Sequence, residues 1–138
     1  MRKRLIQEVE NRNAWLLYGD VGYGIIDQKY KKALNCGIAE QAMLGMASGM
    51  AMEGEEVYCY AITPHLLRAW DFVRLFIVHH DLNVKLIGCG YEDDYKQLGF
   101  SHCIKDNDIK ALCDAIHLPY AKYPCEIVVG PQFIHVSQ

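Results

Sequence analysis

A chain of 138 residues is the size of about one domain, since domains run to roughly 100–150 residues, and two catalytic domains do not fit in it. Hydrophobic residues make up 51% and charged residues 22%, a balance that buries a core and excludes an intrinsically disordered chain. Fourteen basic against seventeen acidic side chains leave a net charge of −3. With no long basic run beyond Arg2-Lys3-Arg4, there is no electrostatic footprint for nucleic acid.

The longest uncharged stretches, Gln41 to Met52 and Ile127 to Gln138, are twelve residues each, short of the ~20 that a membrane span needs. Glu8 and Glu10 interrupt any apolar run behind the basic start, so no signal peptide is expected and the cytosol is the expected compartment. Six cysteines, Cys36, Cys59, Cys89, Cys103, Cys113 and Cys125, stand far apart without a Cys-x-x-Cys pair and read as free thiols.

In chain order, Leu5, Ile6 and Val9 recur at helical spacing and predict an amphipathic helix over residues 2–12. Ala14 to Tyr18 reads as a buried strand that runs into the glycine-rich loop Gly19-Asp20-Val21-Gly22-Tyr23-Gly24. After the basic patch at Lys29 to Lys32 and the turn Asn35-Cys36-Gly37, the segment from Ile38 to Met52 is apolar or small nearly all the way round. That pattern predicts a buried helix. Val57 to Ile62 is β-rich, and Thr63-Pro64 supplies a cap and an N1 proline for an amphipathic helix from about His65 to His79. Asn83 to Gly88 reads as another buried strand. Cys89 to Cys103 is loop-like with an acidic patch, Asp106 to Ala115 helical, and Ala121 to Tyr123 and Phe133 to Val136 strands. Alternating strands and helices predict an α/β fold, a mostly parallel sheet with helices on both faces, and one domain over residues 1–138.

One residue stands out against that background. Glu40 places a carboxylate at the start of the apolar helix, where the helix N-terminus favours the charge by up to about 1 kcal/mol and desolvation opposes it. A carboxyl group in that position either caps the helix or shares a proton with a ligand. Periodicity does not separate the two. His79-His80 at a helix end and Cys113-x-x-x-His117 lack the spacing of a metal site, and Gly19-x-x-Gly22-x-Gly24 does not have the glycine order of a dinucleotide fingerprint.

The run Asn35-Cys36-Gly37-Ile38-Ala39-Glu40-Gln41, followed by Met43-x-Gly45-Met46-Ala47-x-Gly49-Met50-Ala51-x-x-Gly54, resembles the N-x-G-I-A-E-Q segment of transketolases and 1-deoxyxylulose-5-phosphate synthases. That segment belongs to the domain that binds the aminopyrimidine of thiamine diphosphate. The likeness continues from about residue 14 to residue 136. Gly19-Asp20-Val21 is similar to the family's A-D-L turn, and Arg68-Ala69-Trp70-Asp71 to its R-A-[FY]-D helix. Asn83-Val84-Lys85-Leu86-Ile87-Gly88 is similar to N-V-K-L-V-G, and Gly130-Pro131-Gln132-Phe133-Ile134 to the closing G-P-V-Y-I strand.

The resemblance implies that Glu40 hydrogen-bonds N1′ of the pyrimidine and that Asp20 lies near the cofactor. It places Ile62 and His65 where the family has aromatic residues around the ring. His102 falls on the second family histidine, which acts on substrate, while Gly90 stands in place of the first, which helps to hold the sugar donor. Taken alone, His102 reads as an idle loop histidine, and His65 reads equally as an exposed first-turn histidine. The family's G-D-G motif for Mg²⁺ and diphosphate is absent from this sequence, so the resemblance implies a diphosphate-binding partner subunit that carries both, in a homodimer or an α₂β₂ heterotetramer. The implied activity is that of a split transketolase, moving a two-carbon ketol unit between sugar phosphates. The alternatives are a 1-deoxyxylulose-5-phosphate synthase-like or 2-oxoacid decarboxylase-type subunit, and a non-catalytic remnant.

Overall fold

A computed structural model describes residues 1–90 and 94–137 of the chain. Its centre is a six-stranded sheet of order β2-β1-β3-β4-β6-β5, formed by Trp15–Tyr18 (β1), Ala33–Asn35 (β2), Val57–Ile62 (β3), Val84–Cys89 (β4), Tyr120–Lys122 (β5) and Gln132–His135 (β6). All five pairings are parallel. A parallel sheet must be covered on both faces, and the central strands β3 and β4 are accordingly buried at every position.

Helix α1 (Arg2–Asn11) covers one face with Leu5, Ile6 and Val9, which pack with Leu16, Tyr58, Tyr60, Ile87 and Ile134. The other face carries three helical elements. Helix α2 (Glu40–Met52) contributes Met43, Leu44 and Ala47. The segment 63–78 (α3) contributes Leu66, Ala69, Val73 and Ile77 against Leu17, Cys59, Val84, Leu86 and Phe133. Helix α4 (Asp106–Ala115) adds Ile109 and Cys113. Each large apolar side chain among these contributes about 1.5–3 kcal/mol when fully buried.

Strand Val84–Cys89 holds a lysine where an apolar residue would be expected. Lys85 is fully buried, and its ammonium donates to Asn83 Oδ1 and, at 2.5 Å, to the carbonyl of Gly130. Burial pushes its pKa down to about 8. The lysine thereby ties β4 to the turn that precedes β6.

Four features depart from the sequence expectations. Strand β2 was not expected: it is short, its Leu34 and Asn35 are exposed, and only its main-chain register with β1 defines it. An edge strand without a buried face shows no alternation to read. Helix α2 is not buried all round, because Gln41, Ala42, Met46, Gly49 and Met52 form an exposed flank. Helix α3 starts at Thr63, with Ile62 at the N-cap position. Thr63 Oγ1 is buried without a hydrogen-bond partner among the described residues and caps nothing. Strands β5 and β6 each begin and end one residue before the expected spans. The loop after β4 contains the 3₁₀ turns Lys96–Leu98 and Phe100–His102. Of its acidic patch, Tyr91, Glu92 and Asp93 lie outside the described residues.

The strand order reverses beside β1, since the chain passes from β1 outward to β2 and then back across β1 to β3. In open α/β sheets such a switch point opens a crevice beyond the carboxyl ends of the strands. At the end of β4, Gly88 lets α3 sit down onto the sheet: a Cβ there would lie 2.5 Å from Thr63 Oγ1 and 2.6 Å from Phe133 Cζ. Gly88→Ala is therefore expected to cost roughly 1–3 kcal/mol through overpacking and to displace the start of α3. Urea denaturation measures the loss; an unchanged midpoint would show that the contact gives way freely.

Candidate functional site

The carboxyl ends of β1, β2 and β3 meet at the switch point, and the turn after β2 delivers the first turn of α2 to it. Gly37 adopts a positive φ of 65°, and its N–H donates to Asn35 Oδ1 at 2.8 Å, which bends the chain out of β2. Ala39 is the N-cap residue and makes no side-chain cap. Glu40 is thus the first helical residue and only 6% exposed. Its Oε1 is buried without a hydrogen-bond partner among the described residues, so that oxygen caps nothing. Gly19, just beyond β1, forms the roof. A Cβ on Gly19 would sit 3.6 Å from Glu40 Oε1, 3.5 Å from the Gly37 carbonyl oxygen and 3.5 Å from Ala61 Cβ. The missing side chain leaves a small cradle directly over the orphaned oxygen.

Two histidines complete the cluster. His65, in the first turn of α3, places Nδ1 3.4 Å from Glu40 Oε1, in contact though long for a hydrogen bond. Its Nε2 is buried and also lacks a partner among the described residues. Burial holds the His65 pKa below its usual value, helped by Arg68 and His102 and opposed by Glu40. His102 closes the 3₁₀ turn Phe100–His102 and meets the edge of the His65 ring at a centroid distance of 5.1 Å and an angle of 68°. The half-buried His102 also has Nδ1 3.1 Å from Ser101 Oγ.

Glu40, His65 and His102 are therefore brought together. Asp20 and Ile62 occupy the same end of the sheet without joining that cluster. Asp20 is exposed at a positive φ of 47° and lines a cavity of about 350 Å³ with Tyr18, Tyr23, Tyr30 and Asn35. Ile62 ends β3 and packs into the core on the α1 side. A Cβ on Gly90 would come within 2.8 Å of Ile62 Cγ2 and 2.9 Å of Tyr95 Cδ2, and the residue has a φ of 81°. The Gly90 position is closed by neighbours as well as short of a side chain.

Sequence reasoning passed over Gly19 as a site element, Tyr95 as the residue crowding Gly90, and Thr63, whose hydroxyl is a third buried polar group without a partner among the described residues. Gly19 lay inside a quoted motif and its lack of a side chain was the available signal. The other two are tertiary neighbours with no local signature.

Residues 18–102 match the transketolase, pyrimidine binding domain family. This is more than half of the chain, and the chain belongs to that family. A putative transketolase C-terminal section from Methanocaldococcus jannaschii is 29% identical over 102 residues, 73% of this chain and 29% of that protein. An apulose-4-phosphate transketolase subunit from Actinobacillus succinogenes is 33% identical over 72 residues, 51% of this chain and 23% of its own. The chain matches less than a third of the length of these relatives. Among solved structures, a split-gene transketolase described as an inactive β4 tetramer superposes with a TM-score of 0.75 at 20% identity, covering 99% of this chain and 50% of that one. A Pichia stipitis transketolase mutant gives 0.70 at 12% identity, over 99% and 25%. At these identities the two structures establish the fold.

The site suits the ring that gives the family its name. An aminopyrimidine presents both donor and acceptor nitrogens, and the cluster offers a buried carboxylate oxygen and a buried imidazole nitrogen without partners among the described residues, beneath a cradle that a side chain would fill. Leaving such groups unsatisfied costs about 1–3 kcal/mol each.

The depressed pKa of His65 also sets a pH dependence. The folded chain binds this proton less readily than the unfolded chain, whose value is near 6.5. The stability contribution is present above that value and lost as pH falls through the lower folded value. His135, likewise lowered chiefly by burial, adds to the same slope. The urea midpoint is expected to fall on acidification from about pH 7.5 to about pH 5.5, and His65→Phe to shrink the fall. An equal slope in the variant would contradict the assignment.

Proposed function

We propose that this chain binds the aminopyrimidine ring of thiamine diphosphate at Glu40 and forms one half of a split transketolase-type enzyme. The observation that carries this function is the orphaned, buried Oε1 of Glu40 under the Gly19 cradle. Membership of the pyrimidine binding family and similarity to proteins described as a transketolase C-terminal section and as one subunit of an apulose-4-phosphate transketolase support it. Thiamine diphosphate, when bound, supplies the carbon nucleophile for moving a two-carbon ketol unit between sugar phosphates.

Glu40 accepts and returns a proton at N1′ of the ring, a general acid-base role that needs a carboxyl group screened from water. His102, in edge contact with His65, donates to, or takes a proton from, the substrate oxygen. Asp20 lines the neighbouring cavity beyond β1, within reach of a cofactor that extends from Glu40, and Ile62 packs with Tyr95 against Gly90. The diphosphate and its Mg²⁺ are held by a partner subunit.

The surface around the site supports assembly. Ile38 is 76% and Phe100 94% exposed, each within two residues of a site side chain. The exposed flank of α2 adds Met46 and Met52. Apolar groups exposed beside the site and along α2 mark a surface that another protein covers. We assign that cover to the diphosphate-binding subunit, in a dimer-based or α₂β₂ assembly.

Two outcomes follow. In the complex reconstituted with its diphosphate-binding partner, Glu40→Gln is expected to lower activity roughly 10²–10⁴-fold, the usual weight of a general acid-base group, with folding nearly unchanged. Exchange of the cofactor C2 proton, followed by NMR after acid quench, reads the affected step; a wild-type rate in the variant would remove the catalytic role. Gly90→His is expected to destabilise the chain by roughly 2–4 kcal/mol, because it combines a left-handed backbone with overpacking. It should bring no gain in activity. A stable, more active variant would show that the Gly90 pocket is open to a donor-holding histidine.

A further inference from the structure

His65 occupies a position at which family members carry an aromatic side chain, and the resemblance leads one to expect its ring to pack the pyrimidine. The structure gives its nitrogen a different neighbour. Nδ1 faces Glu40 Oε1 at 3.4 Å, with side-chain exposures of 14% for His65 and 7% for Glu40. Among the described residues no hydrogen-bond donor reaches that oxygen, and the imidazole nitrogen is placed to become one with a small rotation. A carboxylate oxygen only accepts, so a contact of this kind is favourable when Nδ1 carries the hydrogen and Nε2 is bare.

The surroundings fix the charge state that such a pair needs. Glu40 approaches from α2, Arg68 from α3 itself and His102 from the turn Phe100–His102. Burial, Arg68 and His102 all lower the His65 pKa, and Glu40 raises it. From the sheet, β3 and β4 bring Ala61 and Gly88 to this side, and neither carries a charge. On balance these influences favour the neutral imidazole in the pair. A neutral donor orients the carboxyl group without the strong charge pairing that would compete with a ring nitrogen for it. Phenylalanine offers no donor at all.

We propose that His65 is a positioning residue whose Nδ1–H steers Glu40 Oε1 toward the opening under Gly19. The proposal rests on Glu40 being the pyrimidine-facing group, and it replaces stacking as the task of His65. It gives the buried oxygen a partner in the free chain, which the ring then joins or displaces. The contact with His102 holds the imidazole edge in place from the other side.

Stacking and positioning predict opposite orders for two variants. His65→Asn keeps an N–H near the place of Nδ1 and discards the ring; His65→Phe keeps a ring and discards the donor. In the reconstituted complex, His65→Phe is expected to lower kcat roughly 10–100-fold, the weight of one hydrogen bond to a charged group. His65→Asn should restore most of the loss, and thiamine diphosphate affinity by calorimetry should change little in either. A phenylalanine variant as active as wild type, with an asparagine variant that loses cofactor, would overturn the proposal in favour of stacking.

A second readout does not depend on turnover. Long-range ¹H–¹⁵N spectra of the labelled chain report the tautomer and titration of each imidazole. His65 is expected as the Nδ1–H tautomer, and Glu40→Gln should move its titration to lower pH, since the carboxylate is the influence that raises it. An Nε2–H tautomer, or an unmoved titration, contradicts the proposal. Unchanged cofactor binding and activity in Glu40→Gln would instead sink the pyrimidine site itself, and the spectra separate the two failures.

Discussion

A carboxylate oxygen removed from water, whose nearest donor among the described residues is His65 Nδ1 at 3.4 Å, is the constraint around which this end of the molecule is arranged. The dipole of α2 offers Glu40 at most about 1–2 kcal/mol, whereas an unsatisfied buried polar group costs about 1–3 kcal/mol and a charged one more. The dipole alone does not offset that cost. The site therefore depends on the sheet that holds Glu40 there. Parallel pairing brings the ends of β1, β2 and β3 to one edge, and the Asn35–Gly37 turn aims α2 across it. The two hydrophobic clusters on opposite faces of the sheet keep that edge rigid. In the proposed pyrimidine site, a group so placed stores free energy that the ring releases on binding.

Much of the scaffold was legible in the sequence because strand and helix periods differ. Val57 to Ile62 and Asp106 to Ala115 were expected with the boundaries observed. The exposed edge strand Ala33–Asn35 left no pattern to find. Helix α2 was misread for a physical reason: Met46 and Met52 are as apolar as Met43, and composition does not say whether the chain's own core or another protein covers them. Met43 is buried in the chain's own core, whereas Met46 and Met52 are exposed.

The candidate site was legible as words and not as geometry. Glu40, His65 and His102 could be named from motifs, yet their mutual contacts depend on the register that sets Ile62 beside Cys89 and on the turn at Phe100. Gly90 shows the same limit from the other direction. In sequence it is only a missing histidine, whereas in the fold Ile62 and Tyr95 fill the space that a side chain would need. His65 carries both messages, since the position expected to stack turns its nitrogen toward the carboxylate.

The most direct measurement is a crystal structure of the chain assembled with a diphosphate-binding partner and thiamine diphosphate. N1′ of the pyrimidine is expected within hydrogen-bonding distance of Glu40 Oε1, with the ring entering under Gly19. That expectation would be contradicted by a ring seated elsewhere, or by Glu40 turned back to bond the N–H groups of its own helix.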